Sequence, residues 1–217
     1  SDVYKRQVKP YAAYAIGAAL VDTEIQVTDA ELTAMNVEKG MMTLVDQARQ
    51  RDLLTTLSDH LIRANLASGG SAGNSMIATA MMGAPTYMSC KVAQDADGDI
   101  YLADLEQSGV AHGLTERSTD GVTGKCIVLI TPDAERSLNT HLGISERLST
   151  DEVDEAAIRG SEWVYLEGYL VTSPTGHAAA LKTKTLAEAH GVKTAVSFSD
   201  PGMVKFFRDN MSAMVEG

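Results

Sequence analysis

The 217-residue chain has little of several things, and each scarcity narrows what it can be. It holds two cysteines, Cys90 and Cys126. Two distant thiols cannot staple a small secreted scaffold, and they match no zinc spacing, so no metal site is expected from them. Both sit in apolar, strand-like runs, which points to buried free thiols and a reducing, cytoplasmic setting. Cations are outnumbered: 18 Lys and Arg stand against 29 Asp and Glu, a net charge of −11. That balance argues against nucleic acid or an anionic membrane as partner, but leaves room for one phosphorylated ligand at a local site. No apolar run is long enough to span a bilayer. The nearest candidate is "YAAYAIGAALV", which follows Lys5, Arg6 and Lys9. It is short, rich in Ala and Gly, and ends at Asp22, so a first core strand explains it better than a signal peptide. Aromatic residues make up only 5%, and there is no low-complexity tract or internal repeat. What remains is the composition of a globular protein long enough for one α/β domain.

Residues 1–9, "SDVYKRQVK", read as a non-native or disordered leader. "YAAYAIGAAL" reads as one buried strand, with "TEIQV" and "MMTLV" as short strands. "DQARQRDLLTTLSDHLIRANL" places Leu53, Leu54, Leu57, Leu61 and Ile62 on one face and predicts a long amphipathic helix. "NSMIATAMMG" predicts a helix stopped by Gly83, and "DIYLADLEQSG" one stopped by Gly109. "TYMSCKVA" is a strand. "GKCIVLI" and "RSLNTHL" flank "TPDAE" as a hairpin. Ser149 and Glu152 form a capping box. "EWVYLEGYLV" and "VKTAVSFS" are strands. "GHAAALKTKTLAEAHG" and "GMVKFFRDNMSAMV" are helices. Alternating strands and helices imply a mostly parallel sheet covered on both faces, with the hairpin and early strands forming a small antiparallel flap.

One loop bears on chemistry. "GGSAGN", Gly69 to Asn74, fits the G-x-S-x-G nucleophile elbow of α/β hydrolases at Ser71. It also fits a glycine turn opening a helix around a polar ligand. An elbow needs an apolar strand running into the serine, whereas "DHLIRANLAS" is charged and helix-periodic. His177 and His190 sit at the two ends of one predicted helix and make poor triad partners. Phosphate loops fail as well, because "TGKC" has Cys126 where Ser or Thr would hold magnesium and no G-x-G-x-x-G follows a strand. In the clamp reading, adjacent glycines let backbone approach a ligand, helix-start amides donate, and Asn74 offers both a donor and an acceptor. On this stretch alone, a plain Gly/Ser turn capped by Asn74 is the simpler reading.

The loop does not stand alone. "AIGAALVD" ends in Asp22, "GGSAGN" follows some fifty residues on, and "CKVAQDADG", "TGKCIVLITPDAERSL", "EGYLVTSP" and "SDPGMV" come after it. In this order the chain resembles the ribokinase-like (PfkB) carbohydrate kinases, and within them the adenosine kinase-like branch, from about Tyr11 to the last residue. The resemblance implies a three-layer αβα sandwich, incomplete here, with a β-sheet lid over the substrate. It implies an ATP- and magnesium-dependent kinase acting on a primary hydroxyl of a ribonucleoside or sugar. Asp22 matches the carboxylate that accepts two sugar hydroxyls, Gly69 and Gly70 the backbone against the sugar, and Asn74 a ribose-hydroxyl contact. Arg136 matches an arginine facing phosphate. Met41, Cys126, Leu138 and Tyr169 match positions in or near the lid that line a base pocket. A homodimer through the lid is a further expectation from the family.

The chain departs from the family pattern in two places. Ala18 stands where an Asn is common. The N-x-x-E segment and the G-x-G-D loop with its catalytic Asp are not found. Residues 10–217 are therefore expected to be the substrate-binding part of a kinase, inactive alone, with the ATP-binding part and catalytic Asp expected beyond residue 217. The alternatives are a non-catalytic nucleoside- or sugar-binding module and, more remotely, a hydrolase using Ser71.

Overall fold

The computed structural model describes residues 9–61 and 65–216. Most of the expected leader, residues 1–8, and Ile62 of the expected long helix lie outside the described residues. Among the described residues, ten strands form two five-stranded sheets. The first sheet is parallel throughout. Its strands are β1 (Tyr11–Ile16), β5 (Thr86–Ser89), β6 (Val110–His112), β9 (Ser161–Leu166) and β10 (Lys193–Val196), in the order β10-β9-β1-β5-β6. Side-chain alternation along β1 feeds two cores. Tyr14 and Ile16 pack with Val164, Leu166, Ala179 and Ala180 on one face. Ala15 packs with Ala72, Met76, Met88, Tyr101 and Leu105 on the other. These cores bring helices α3 (Ser71–Met81) and α4 (Ala96–Gln107) onto one face, and α5 (Glu155–Arg159) and α6 (Pro174–Ala189) onto the other. The arrangement is the expected α/β sandwich. Gly83 and Gly109 follow the ends of α3 and α4 at positive φ, 91° and 78°, as the stop signals predict.

The second sheet is larger than the expected flap, and it is mixed. Its strands are β2 (Leu20–Gln26), β3 (Met42–Leu44), β4 (Asn65–Gly69), β7 (Gly124–Ile130) and β8 (Arg136–His141), in the order β3-β8-β7-β2-β4. The β7–β8 hairpin is antiparallel as predicted, but β2 pairs with β7 in parallel, and so does β3 with β8. The outward face of this lid carries Ile25, Val27, Ile127 and Leu129. They pack against Leu32 and Met35 from α1 (Asp29–Ala34) and its cap, and Leu53 and Leu57 from α2 (Gln47–Thr56) and its cap. The chain's own helices thus cover that face, and a homodimer through the lid would have to use its edges.

Several elements end differently from their sequence pattern. The expected strands "TYMSCKVA", "EWVYLEGYLV" and "VKTAVSFS" stop early, at Ser89, Leu166 and Val196, and Gly168–Thr172 form a 3-10 helix. "YAAYAIGAAL" is split between sheets: β1 stops at Ile16, the chain crosses at Gly17–Ala19, and β2 begins at Leu20. Periodicity cannot reveal this crossing, because both halves are apolar. The predicted long helix ends at Thr56, and residues 65–69 instead pair antiparallel with β2. Edge pairing of the sheet overrides the helical pattern there. The closing helix breaks at Phe207 into α7 (Pro201–Phe206) and α8 (Arg208–Val215).

Leu53 is 1% exposed in the lid's own core. Replacing it with alanine is expected to cost about 2–5 kcal/mol and to speed hydrogen exchange in β2, β7 and α2 more than in β1. Chemical denaturation with residue-resolved exchange measures both.

Candidate functional site

The carboxyl ends of β1 and β9, the start of α3 and the inward face of the lid surround one cavity of about 260 Å³. Ligand sites in open parallel sheets lie at these strand ends. Asp22, Met42, Cys126, Val128, Leu138 and Thr140 line it from the lid. Gly70, Ser71, Asn74, Glu167, Tyr169 and Leu170 line it from the other side.

Strand register explains the lid wall. Asp22 is paired with Cys126, and Cys126 with Thr140, so the three share one row on the inward face. Val128, Leu138 and Met42 form the next row. Asp22 is therefore a carboxylate set among apolar neighbours. Burial pushes its pKa up to about 6, with Arg136 pulling it down and Glu24 pushing it up. The room for that carboxylate comes from Gly69: a Cβ there would lie 2.1 Å from Asp22 Oδ1. Gly69 itself is not among the cavity-lining residues, so it serves the site by what it leaves open. Gly70 sits at φ 91°, and a Cβ there would meet the Ala18 carbonyl oxygen at 2.4 Å. Glycine is needed at both points, where the chain leaves the lid. Asn74, in the first turn of α3, is exposed and faces the cavity.

The remaining expected residues fall as follows. Leu138 and Tyr169 line the cavity. Burial, and then the nearby Asp200 charge, hold the Tyr169 hydroxyl well above the usual tyrosine range. Cys126 also lines it; burial pushes its thiol up to about 12, and its Sγ accepts a hydrogen bond from Thr140 Oγ1 at 3.3 Å. It is a neutral, unreactive thiol there. Met41 is 42% exposed and lies outside the cavity, which its neighbour Met42 lines instead. One residue along a strand reverses the face. Arg136 reaches the cavity, but its guanidinium donates to Glu24 Oε1 at 2.6 Å, so it is engaged rather than free for phosphate.

Sequence reasoning missed Glu167. It is 1% exposed, and its carboxylate accepts from Ser71 Oγ at 2.8 Å and from the Ala18 amide at 3.0 Å. Burial pushes its pKa up, while the Ser71 and Ala18 donors pull it down. Gly17 must be small because a Cβ would fall 2.0 Å from Glu167 Oε2. The signal was present: Glu167 is the single charged residue in the stretch from Trp163 to Thr172.

The sequence predicts no strand before Ser71, which argues against a nucleophile there, yet β4 ends at Gly69, two residues before it. The stronger objection is its partner. Its hydroxyl is spent on Glu167, while His177 contacts the Asn210 carbonyl and His190 contacts Glu155.

Among the described residues, no group of three or more His, Cys, Asp or Glu gathers as metal ligands. Among the described residues, the one guanidinium lining the cavity, Arg136, is paired with Glu24. These residues do not fit magnesium or a triphosphate, so no step is derived through either. No helix among the described residues is long and apolar enough to cross a membrane.

Comparison with known proteins agrees with this architecture. The model of the pfkB family of carbohydrate kinases matches residues 40–217. Mouse (Mus musculus) ribokinase is 28% identical over 126 residues, 58% of this chain and 38% of that protein. The crystal structure of a probable sugar kinase from Rhizobium etli superposes with a TM-score of 0.88 at 29% identity, covering 94% of this chain and 60% of that one. That of an adenosine kinase from Sinorhizobium meliloti gives 0.87 at 32% identity, covering 93% and 61%. The chain thus spans about 60% of the length of these structural relatives.

Asp22 binds its proton more tightly folded than unfolded, so its contribution to stability falls as pH rises from the usual aspartate range through about 6. Asp22→Asn is therefore expected to stabilise the protein by about 1–3 kcal/mol at pH 7, with the gain vanishing near pH 4. Urea unfolding at a series of pH values checks this.

Proposed function

Since this chain belongs to the pfkB family of carbohydrate kinases, we propose that it supplies the acceptor site of an ATP-dependent kinase that phosphorylates a primary hydroxyl of a ribonucleoside, adenosine-like, or a sugar. The observation that carries this reading is the convergence of Asp22 and Asn74, fifty-two residues apart in sequence, on one cavity with an apolar wall. A carboxylate offers two coplanar acceptors and suits a vicinal diol. Asn74 adds a donor or acceptor to a hydroxyl. Val128, Leu138, Met42 and the Tyr169 ring offer the flat apolar surface that a base would take. Likeness to an adenosine kinase at 32% identity favours a nucleoside over a free sugar.

Phosphoryl transfer rests mostly on positioning and on electrostatic stabilisation of the transferred group. The residues here bind and orient the acceptor and exclude water from it. None is placed as a base toward an acceptor hydroxyl with a free cationic group beside it. We therefore propose that this chain alone binds substrate without turning it over. A binding module without catalysis is the second reading, favoured by the engagement of Arg136 with Glu24.

Titration calorimetry of the chain with ribonucleosides and free sugars is expected to give weak saturable binding that Asp22→Ala abolishes. With magnesium-ATP present, ADP release should stay at background. Turnover in the ordinary enzyme range, lost in Asp22→Ala, would show that the chemistry resides in these residues. Gly69→Ala separates site from fold. The Cβ displaces only a side-chain carboxylate, so the melting temperature should stay within a few degrees while affinity drops about tenfold or more.

A further inference from the structure

A second pocket of about 460 Å³ lies on the outward side of the lid, where α1 ends and α2 begins. It shares its wall with the first cavity. Along β3 and β8, Met42, Leu138 and Thr140 point into the acceptor cavity. Thr43 and Asn139, which are paired across the same two strands, line the outer pocket with Val45. The period of two thus makes one pair of strands the partition between two cavities.

This pocket holds one donor-only side chain, Arg49, beside the buried amide of Asn139. Asn139 is 3% exposed, and its Nδ2 has no hydrogen-bond partner. A buried amide in that state is costly unless something accepts from it. Arg49, in the first turn of α2, lines the same pocket and donates to the Met35 carbonyl that closes α1. No carboxylate lies within salt-bridge distance of it among the described residues. Thr43 adds a hydroxyl, whereas that of Thr33 is donated to the Asp29 carbonyl, and Glu38, the one acid lining the pocket among the described residues, is exposed. In a chain of net charge −11, a guanidinium without a carboxylate partner beside a buried amide donor is chemistry for an acceptor-bearing anion.

We infer that the outer lid pocket binds a small anion, a phosphate or a carboxylate, through Arg49 and Asn139, and that its occupancy alters the acceptor cavity through β3 and β8. β3 is only three residues long and is an edge strand, so its order depends on what packs against Thr43 and Val45. An anion held there fixes the strand that carries Met42 on its other side.

The test uses the whole chain, with backbone amide shifts followed while inorganic phosphate or malonate is added at constant ionic strength. Saturable shifts at Thr43, Arg49 and Asn139 are expected. Arg49→Gln and Asn139→Leu should each weaken binding about tenfold or more, and Arg49→Lys less. Whichever of phosphate and malonate saturates lower identifies the anion type. Linear shifts, shifts centred on Asp22 and Asn74 instead, or affinity unchanged in both variants would overturn the site. If Arg49→Gln does not fold, Asn139→Leu and the wild-type titration still decide it. The coupling rests on the acceptor-site reading and is scored separately. Saturating anion should change nucleoside affinity at least threefold in the wild type and not in Asn139→Leu. Anion binding without that change overturns the coupling and leaves the acceptor site standing.

Discussion

The buried carboxylate of Glu167 ties the two sheets together. It stands at the end of β9, in the main sheet, and holds the Ala18 amide, where the chain enters the lid, and the Ser71 hydroxyl, where the chain leaves it. One side chain thereby fixes both crossings. A buried acceptor that loses a donor costs about 1–3 kcal/mol, so neither crossing can drift without penalty. The smallness of Gly17 follows from the same carboxylate, and the turn at Gly70 follows from the position of the Ala18 carbonyl. The cavity is the space left when these crossings are held and the lid's inward face is turned toward the strand ends.

Asp22 illustrates how function opposes stability within this frame. Its carboxylate lies in a row with Cys126 and Thr140, and burial makes its charge unfavourable. A ligand that donates to it would relieve that cost, in keeping with the acceptor site proposed above. Arg136 and Glu24 act on it with opposite sign, and they are paired with each other.

Much of this was legible in the sequence, and the failures have physical causes. Alternation and caps located most strands and helices, and "GGSAGN" with the upstream Asp22 pointed to the polar side of the cavity, although Asp22 sits third in lid strand β2 and not at the end of a main-sheet strand as expected. The crossing inside "YAAYAIGAAL" was invisible because both sheets want apolar residues there. β4 was hidden because its short run, Asn65–Gly69, follows directly on a charged, helix-periodic segment and carries little strand pattern of its own. Met41 for Met42 is the error expected of a strand whose register is set by its partner β8 rather than by its own sequence. Glu167 was overlooked because a lone acid within an apolar run resembles a strand end. Only the donors brought from residues 18 and 71 give it a role.

The scarcity of aromatic residues has an optical consequence. Residues 20–69 and 124–142, which build the lid, contain no Trp, Tyr or Phe. The single tryptophan, Trp163, lies in the main sheet under Lys193. Near-ultraviolet absorbance and intrinsic fluorescence therefore see the sandwich and are blind to the lid. Among the described residues, Tyr169 is the one aromatic ring on the cavity wall, and so the native chromophore placed to sense the lid's approach.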